Sequence, residues 1–313
     1  MSRVVGRPGV PAIWAALAIL AMVACGAPER PPNLLILTLD TTRADHLGCY
    51  GSSTAQTPRL DAFARDRAVL FEDAISPVPI TLPSHTTIMT GTHPVYHGVH
   101  DNDGFFVDDG MTTLAELLAA AGYSTGAVIG AFPLDSRFNL DQGFATYNDD
   151  YQEDWTAAEV EARTALSFGF VERSADRVNQ AVFRWLDAHR EKPFFLWMHY
   201  FDPHQPYDPP RPYDSMFSLG YDGEIAFVDE CFGAVLDYLG GHDLDDHTVV
   251  VVVGDHGESL GEHGEPTHAT YIYDATARVP LLISAPEIGP IGGTRVGSQV
   301  STMDIAPTVL ELL

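Results

Sequence analysis

Thr248-Val249-Val250-Val251-Val252-Val253-Gly254-Asp255-His256-Gly257-Glu258 is the stretch on which the reading of this chain turns. Five valines in a row are β-branched and stiff, which favours a strand over a helix. Their unbroken apolar character predicts burial on both faces, the habit of a parallel sheet with helices above and below it. Asn33-Leu34-Leu35-Ile36-Leu37-Thr38-Leu39 has the same character and ends in Asp40. Residues 194–201 form another such run and end in Asp202-Pro203-His204. Open α/β sheets bind ligands outside the carboxyl ends of their strands. The acids and imidazoles that follow these runs are therefore candidates for one shared site.

Val78-Pro79-Ile80-Thr81-Leu82-Pro83-Ser84-His85-Thr86-Thr87-Ile88-Met89-Thr90-Gly91 reads as a turn-rich entry into a helix. Pro83 suits the first helical position, because its missing N–H would have no intrahelical partner there. Thr81 would then sit just ahead of the helix, where free N–H groups and the dipole favour an anion. That is a setting for an alkoxide nucleophile. It is equally the setting of a capping hydroxyl, and this stretch alone leaves both readings open.

Leu39-Asp40-Thr41-Thr42-Arg43-Ala44-Asp45-His46-Leu47-Gly48-Cys49-Tyr50-Gly51 resembles the opening of sulfatases and their alkaline-phosphatase-superfamily relatives. Thr57-Pro58-Arg59-Leu60-Asp61 and the stretch from Gly254 to Gly264 are similar to the same family. The motifs occur in the family's order from about Pro32 to the last residue. The resemblance implies a three-layer α/β/α sandwich with a mostly parallel central sheet. It also implies one divalent cation (Ca, Mg, Mn or Zn) held by Asp40, Asp255 and His256, with Thr81 completing the sphere.

The family signature is altered. Its pattern is Cys (or Ser)-x-Pro-x-Arg followed later by Thr-Gly, whereas this chain has Thr81-Leu82-Pro83-Ser84-His85 with Thr90-Gly91 in place. Oxidation of a Thr yields only a ketone, so no formylglycine is expected. Phosphoryl-transferring relatives use a metal-bound Thr, and Thr81 resembles that nucleophile. His85 stands where the pattern has Arg, on the substrate-binding side. Asn102 matches an Asn that contacts substrate in related phosphonate and sulfate ester hydrolases, with a turn Asn as the bland alternative. His204 matches a His near the leaving-group oxygen, and a pKa of about 6.5 suits protonation of a departing oxyanion. His268 lies near a Lys of many sulfatases and is a third catalytic candidate. His199, inside a strand, reads as a core group, and His97 as structural. Arg43 either supports the site or makes a surface salt bridge.

The N-terminus has Arg3 and Arg7, then a mostly apolar run over residues 10–24, then Cys25-Gly26-Ala27-Pro28. That run is shorter than the roughly 20 apolar residues a spanning helix needs, so it predicts a signal peptide at 1–24. Met22-Val23-Ala24-Cys25 also resembles a bacterial lipobox, which implies lipidation of Cys25, a tether over 25–32 and an exported protein held on a membrane surface. Ordinary cleavage nearby and an uncleaved anchor are the alternatives. Residues 33–313 suit one catalytic domain. The formal charge of −26 repels nucleic acid and is unusual for an enzyme of anionic esters, although salt screens it within about 8–10 Å. Cys49 and Cys231 do not make a disulfide framework, and whether they pair is open.

Helices are predicted over 60–68, 113–121, 174–189, 221–239 and from 304 onward, and further strands over 124–131 and 279–284. Residues 132–170 read as a loop-rich acidic insertion. Family members continue past residue 313 into a smaller C-terminal sheet, which is expected to be missing or truncated in this sequence. The expected function is metal-dependent hydrolysis or transfer of phosphate, phosphonate or sulfate esters, on a small molecule or a glycan- or lipid-linked group. The alternatives are a sulfate ester hydrolase using Thr81, and a non-catalytic lipoprotein.

Overall fold

Four of the apolar runs lie side by side at the centre of an eight-stranded sheet in the computed structural model, which describes residues 30–151, 156 and 172–313. The expected signal peptide, Cys25 and part of the acidic insertion fall outside the described residues. In chain order the strands are β1 (Asn33–Leu39), β2 (Val69–Phe71), β3 (Ala74–Ile75), β4 (Ser124–Val128), β5 (Thr146–Asn148) and β6 (Phe194–Tyr200). They continue with β7 (Thr248–Gly254), β8 (Arg278–Val279), β9 (Leu281–Ser284), β10 (Arg295–Val296) and β11 (Val300–Ser301). The large sheet runs β10-β2-β9-β7-β1-β6-β4-β5, and a small one runs β11-β3-β8.

β1 is parallel to both neighbours, with Leu39 level with Tyr200 of β6 and Gly254 of β7. That register brings Asp40 and Asp255 out at the same edge, one residue beyond each strand. Among the described strands of the large sheet, only β9 runs against the rest. Alternate residues of β1 feed opposite cores. Leu35, Leu37 and Leu39 pack with Leu60, Phe63, Val178, Val182, Ile225 and Phe232, from the helices Pro58–Asp66, Ala175–His189 and Gly220–Gly241. Leu34 and Ile36 pack on the other face with Leu82, Ile88, Leu114, Leu118 and Val309, from the helices Thr81–Thr90, Leu114–Ala120 and Ile305–Leu312. The result is the three-layer α/β/α sandwich. Each fully buried aliphatic side chain contributes about 1.5–3 kcal/mol, so the middle of the sheet is a stiff platform for its edge.

Several predicted boundaries move, for local reasons. The helix containing Thr81 starts at that residue, with Ile80 as its N-cap and Pro83 third rather than first. Pro83 still lies in the first turn, where its missing N–H costs nothing. The strand predicted over 279–284 splits at Pro280, which has no N–H for a ladder; β8 joins the small sheet and β9 the large one. The acidic insertion carries β5, which pairs in parallel with β4 at the sheet edge. The helix Leu114–Ala120 opens on a capping box, with Thr113 and Glu116 each bonding the other's backbone N–H. Cys49 and Cys231 are both free. Among the described residues no helix is long and apolar enough to cross a membrane.

Candidate active site

Asp40, Asp255 and His256 offer one ligand atom each within 4.8 Å of one another, and all three side chains are buried. Asp255 Oδ1 accepts from the N–H groups of Thr41 (3.1 Å) and His256 (2.7 Å), while Oδ2 has no hydrogen-bond partner. Thr41 makes this possible by turning sharply after β1 with φ 48°, a region that β-branched residues rarely enter. Asp40 Oδ2 lies 3.2 Å from His199 Nε2, and Asp40 Oδ1 has no partner. His256 donates through Nδ1 to the Gly257 carbonyl at 2.9 Å, which leaves the Nε2 lone pair bare and 3.4 Å from Asp255 Oδ2. Burial, reinforced by His268, holds the His256 pKa well below the usual imidazole range, so the ring is neutral.

Two clustered carboxylates, each with one orphaned oxygen, beside a bare imidazole nitrogen are costly by themselves. They fit a divalent cation, and an oxygen-rich set with one imidazole accommodates Ca, Mg, Mn or Zn. Burial raises the pKa of Asp40, against the pull of His204, His85 and His268. It raises that of Asp255 further, with the charge of Asp40 adding to it. In the ion-free protein both carboxyls thus hold protons more tightly than usual, and protons compete with a cation for these oxygens as the pH falls. Ion affinity is therefore expected to rise from pH 5 toward pH 8, by up to about tenfold per pH unit for each proton released. Titration calorimetry in buffers of different ionisation heat reads that release directly; an affinity flat across the range would count against the cluster as a cation site.

Thr81 Oγ1 is buried and lies 3.5 Å from His256 Nε2, so its hydroxyl faces the same nitrogen that Asp255 approaches. It occupies the first helical position, and Ile80 rather than Thr81 is the cap. The free N–H of Leu82 is taken by Asn102 Oδ1 at 2.7 Å. Asn102 therefore caps the helix from twenty positions away, and its amide N–H₂ has no acceptor among the described residues.

His85 is the clearest departure from expectation. It is fully buried, donates through Nδ1 to the Thr81 carbonyl at 2.8 Å and accepts at Nε2 from Thr38 Oγ1 at 3.0 Å. Burial, with His199 adding to it, lowers its pKa to about 3. A neutral ring with both nitrogens occupied supports the Thr81 backbone. It has no atom left for substrate.

His204 and His268 complete the rim. The His268 ring lies 4.6 Å from the His256 ring and 5.2 Å from that of His204. His204 donates through Nδ1 to the Gln205 carbonyl at 2.7 Å, and its Nε2 has no hydrogen-bond partner among the described residues. Burial lowers its pKa, partly offset by Asp40, so at pH 7 fewer molecules carry its acid form, which gives up its proton more readily. His268 Nδ1 is 3.1 Å from Oε1 of fully buried Glu258. Arg43 turns away from the cluster: it pairs with Asp45 at 2.8 Å and Glu262 at 2.6 Å, and donates to the Glu258 carbonyl. Burial works against its charge, yet these two carboxylates raise its pKa.

Residues 32–313 match the sulfatase family model. The chain belongs to the sulfatase family. Among curated proteins this sulfatase-family chain is 28% identical over 322 residues to an ulvan-active sulfatase of Formosa agariphila, covering 90% of this chain and 61% of that one. It is 26% identical over 354 residues to the human N-sulphoglucosamine sulphohydrolase, covering 96% of this chain and 64% of that one. It thus spans a little over three fifths of the length of these relatives. The crystal structure of a phosphonate monoester hydrolase of Agrobacterium radiobacter superposes with a TM-score of 0.76 at 21% identity, over 90% of this chain and 73% of that one. That likeness establishes the shared sulfatase/alkaline-phosphatase-like fold.

Three residues at the site were not singled out from the sequence as site residues. They are His199, read as a core group, Glu258 beside His268, and Thr41, whose buried hydroxyl has no partner. Glu258 and Thr41 lie in motifs quoted from the sequence, so motif position was the available signal. His199 offered none.

Proposed function

We propose that this protein hydrolyses or transfers phosphate, phosphonate or sulfate esters, using Thr81 as nucleophile beside a divalent cation held by Asp40, Asp255 and His256. One observation carries the reading: the Thr81 hydroxyl and the unpartnered Asp255 oxygen lie against the same bare imidazole nitrogen, at 3.5 and 3.4 Å. When bound, the cation lowers the pKa of a nearby hydroxyl and offsets negative charge on the transferred group. The remaining work falls to the chain. Deprotonated Thr81 Oγ1 attacks phosphorus or sulfur, forming a Thr81 ester as the bond to the leaving oxygen breaks. His204 Nε2 supplies the proton to that oxygen. Water or an acceptor alcohol then releases the ester. His85 and Asn102 hold the Thr81 backbone and the helix start in place for this attack.

Thr81 is the reason for favouring phosphorus, since the residue offers no route to an aldehyde hydrate. The names of the relatives, an ulvan-active sulfatase and an N-sulphoglucosamine sulphohydrolase, favour a second reading, sulfate ester hydrolysis by Thr81 on an anionic glycan. Para-nitrophenyl sulfate, bis(para-nitrophenyl) phosphate and para-nitrophenyl phenylphosphonate, assayed after chelation and with Mn, Ca, Mg or Zn restored, separate the two. Metal-dependent turnover of the phosphorus esters is expected. Turnover of sulfate alone would transfer support to the second reading, and inactivity on every ester with every metal would remove both.

A further inference from the structure

Asp40 follows β1, His199 sits in the neighbouring β6, and Gly130 lies just beyond β4 on the far side of β6. His199 is fully buried. Its Nδ1 is 3.3 Å from the Gly130 backbone nitrogen, which can only donate. Nδ1 must therefore be the bare acceptor, and in the neutral ring the hydrogen is on Nε2. That hydrogen points at Asp40 Oδ2, 3.2 Å away. The carboxylate is thus held through one oxygen, while Oδ1 is left without a partner. Gly130 is needed for this contact, since a Cβ there would sit 2.8 Å from the His199 carbonyl oxygen. The pairing depends on register: His199 is level with Thr38, two residues before Asp40.

We infer that His199 is a positioning residue of the cation site: held by the Gly130 N–H, it fixes the Asp40 carboxylate by donating from Nε2. The inference rests on the proposed cation role of Asp40. His199 touches no substrate atom. It sets which oxygen of Asp40 is free, and outer partners of this kind are typically worth 10–100-fold in metal affinity.

Three substitutions separate this role from simple packing. H199F keeps a ring of similar size and removes both nitrogens. H199N keeps an acceptor near Gly130 but falls short of Asp40. H199Q extends far enough to place an N–H near the Asp40 carboxylate. The metal-stripped full chain is titrated calorimetrically with Mn²⁺ alone and with Ca²⁺ alone, and circular dichroism identifies the variants that fold. H199F and H199N are expected to bind about 10–100-fold more weakly, and H199Q to recover most of the loss. At saturating Mn²⁺ the kcat of each folded variant is expected to return toward wild type. Wild-type affinity in H199F or H199N overturns the role of His199, as does a loss in H199Q equal to theirs. If neither H199F nor H199N folds, a full loss of affinity in H199Q still overturns it and near-wild-type affinity supports it. Absence of Mn²⁺, Ca²⁺, Mg²⁺ and Zn²⁺ binding in the wild type would instead remove the cation reading itself.

Discussion

Thr81→Ala is expected to lower kcat on the preferred ester by about 10³- to 10⁶-fold, the range seen when a covalent nucleophile is removed. Ion affinity should stay within about tenfold of wild type, because two carboxylates and an imidazole carry most of the attraction. The fold should survive. Ala is the best helix former, Ile80 is the cap, and Asn102 still accepts from the Leu82 N–H. Thr81→Ser keeps a hydroxyl at the same place and should retain measurable turnover. Mass spectrometry of the wild type during slow turnover is expected to find the transferred group on the peptide carrying Thr81. Full activity in Thr81→Ala, or an adduct on a different residue, would assign the chemistry elsewhere.

Asp255→Asn should act in opposite directions with and without the ion. With the ion, the loss of a ligand charge should weaken binding by about 10²-fold or more and abolish turnover. Without it, the variant should be more stable than wild type by about 1–3 kcal/mol at pH 8, since a buried carboxylate oxygen without a donor is removed. The Asn oxygen can still accept from Thr41 and His256, and its amide can donate toward the bare His256 Nε2. The sign with pH follows from the raised Asp255 pKa. A group whose pKa is raised by folding gives its full stability below its unfolded value, here 3.8, and loses it as the pH climbs through the folded value. The advantage of Asp255→Asn in chelator should therefore widen from pH 5 to pH 8. Urea unfolding at several pH values, with EDTA and with Mn²⁺, measures both halves. If Asp255→Asn is the less stable protein in EDTA throughout, the carboxylate is a structural hydrogen-bond acceptor and the cation site fails.

Asp40 and Asp255 were legible because each directly follows an apolar run, and a residue in that position is carried to the sheet edge whatever the helices do. Thr81 was legible as a hydroxyl at a helix start, although the expected start was displaced by weighting Pro83. The cap comes from Asn102, across the chain, and no local pattern announces it. His85 stood where the family pattern has a cation, which invited a substrate role; its burial against Thr38 and the Thr81 carbonyl gives it a supporting one.

Local chemistry settled the central strands, their buried character, the helix faces and the two carboxylates at strand ends, because β-branching, apolar periodicity and turn residues act within a few positions. The partner of each polar group was settled by the packed fold alone. His199 meets Asp40, Thr41 meets Asp255 and Asn102 meets Leu82 only once strand register and helix placement are fixed. Those contacts join residues up to 214 positions apart. Their geometry depends on shifts of a single residue in register, which neighbouring sequence does not encode.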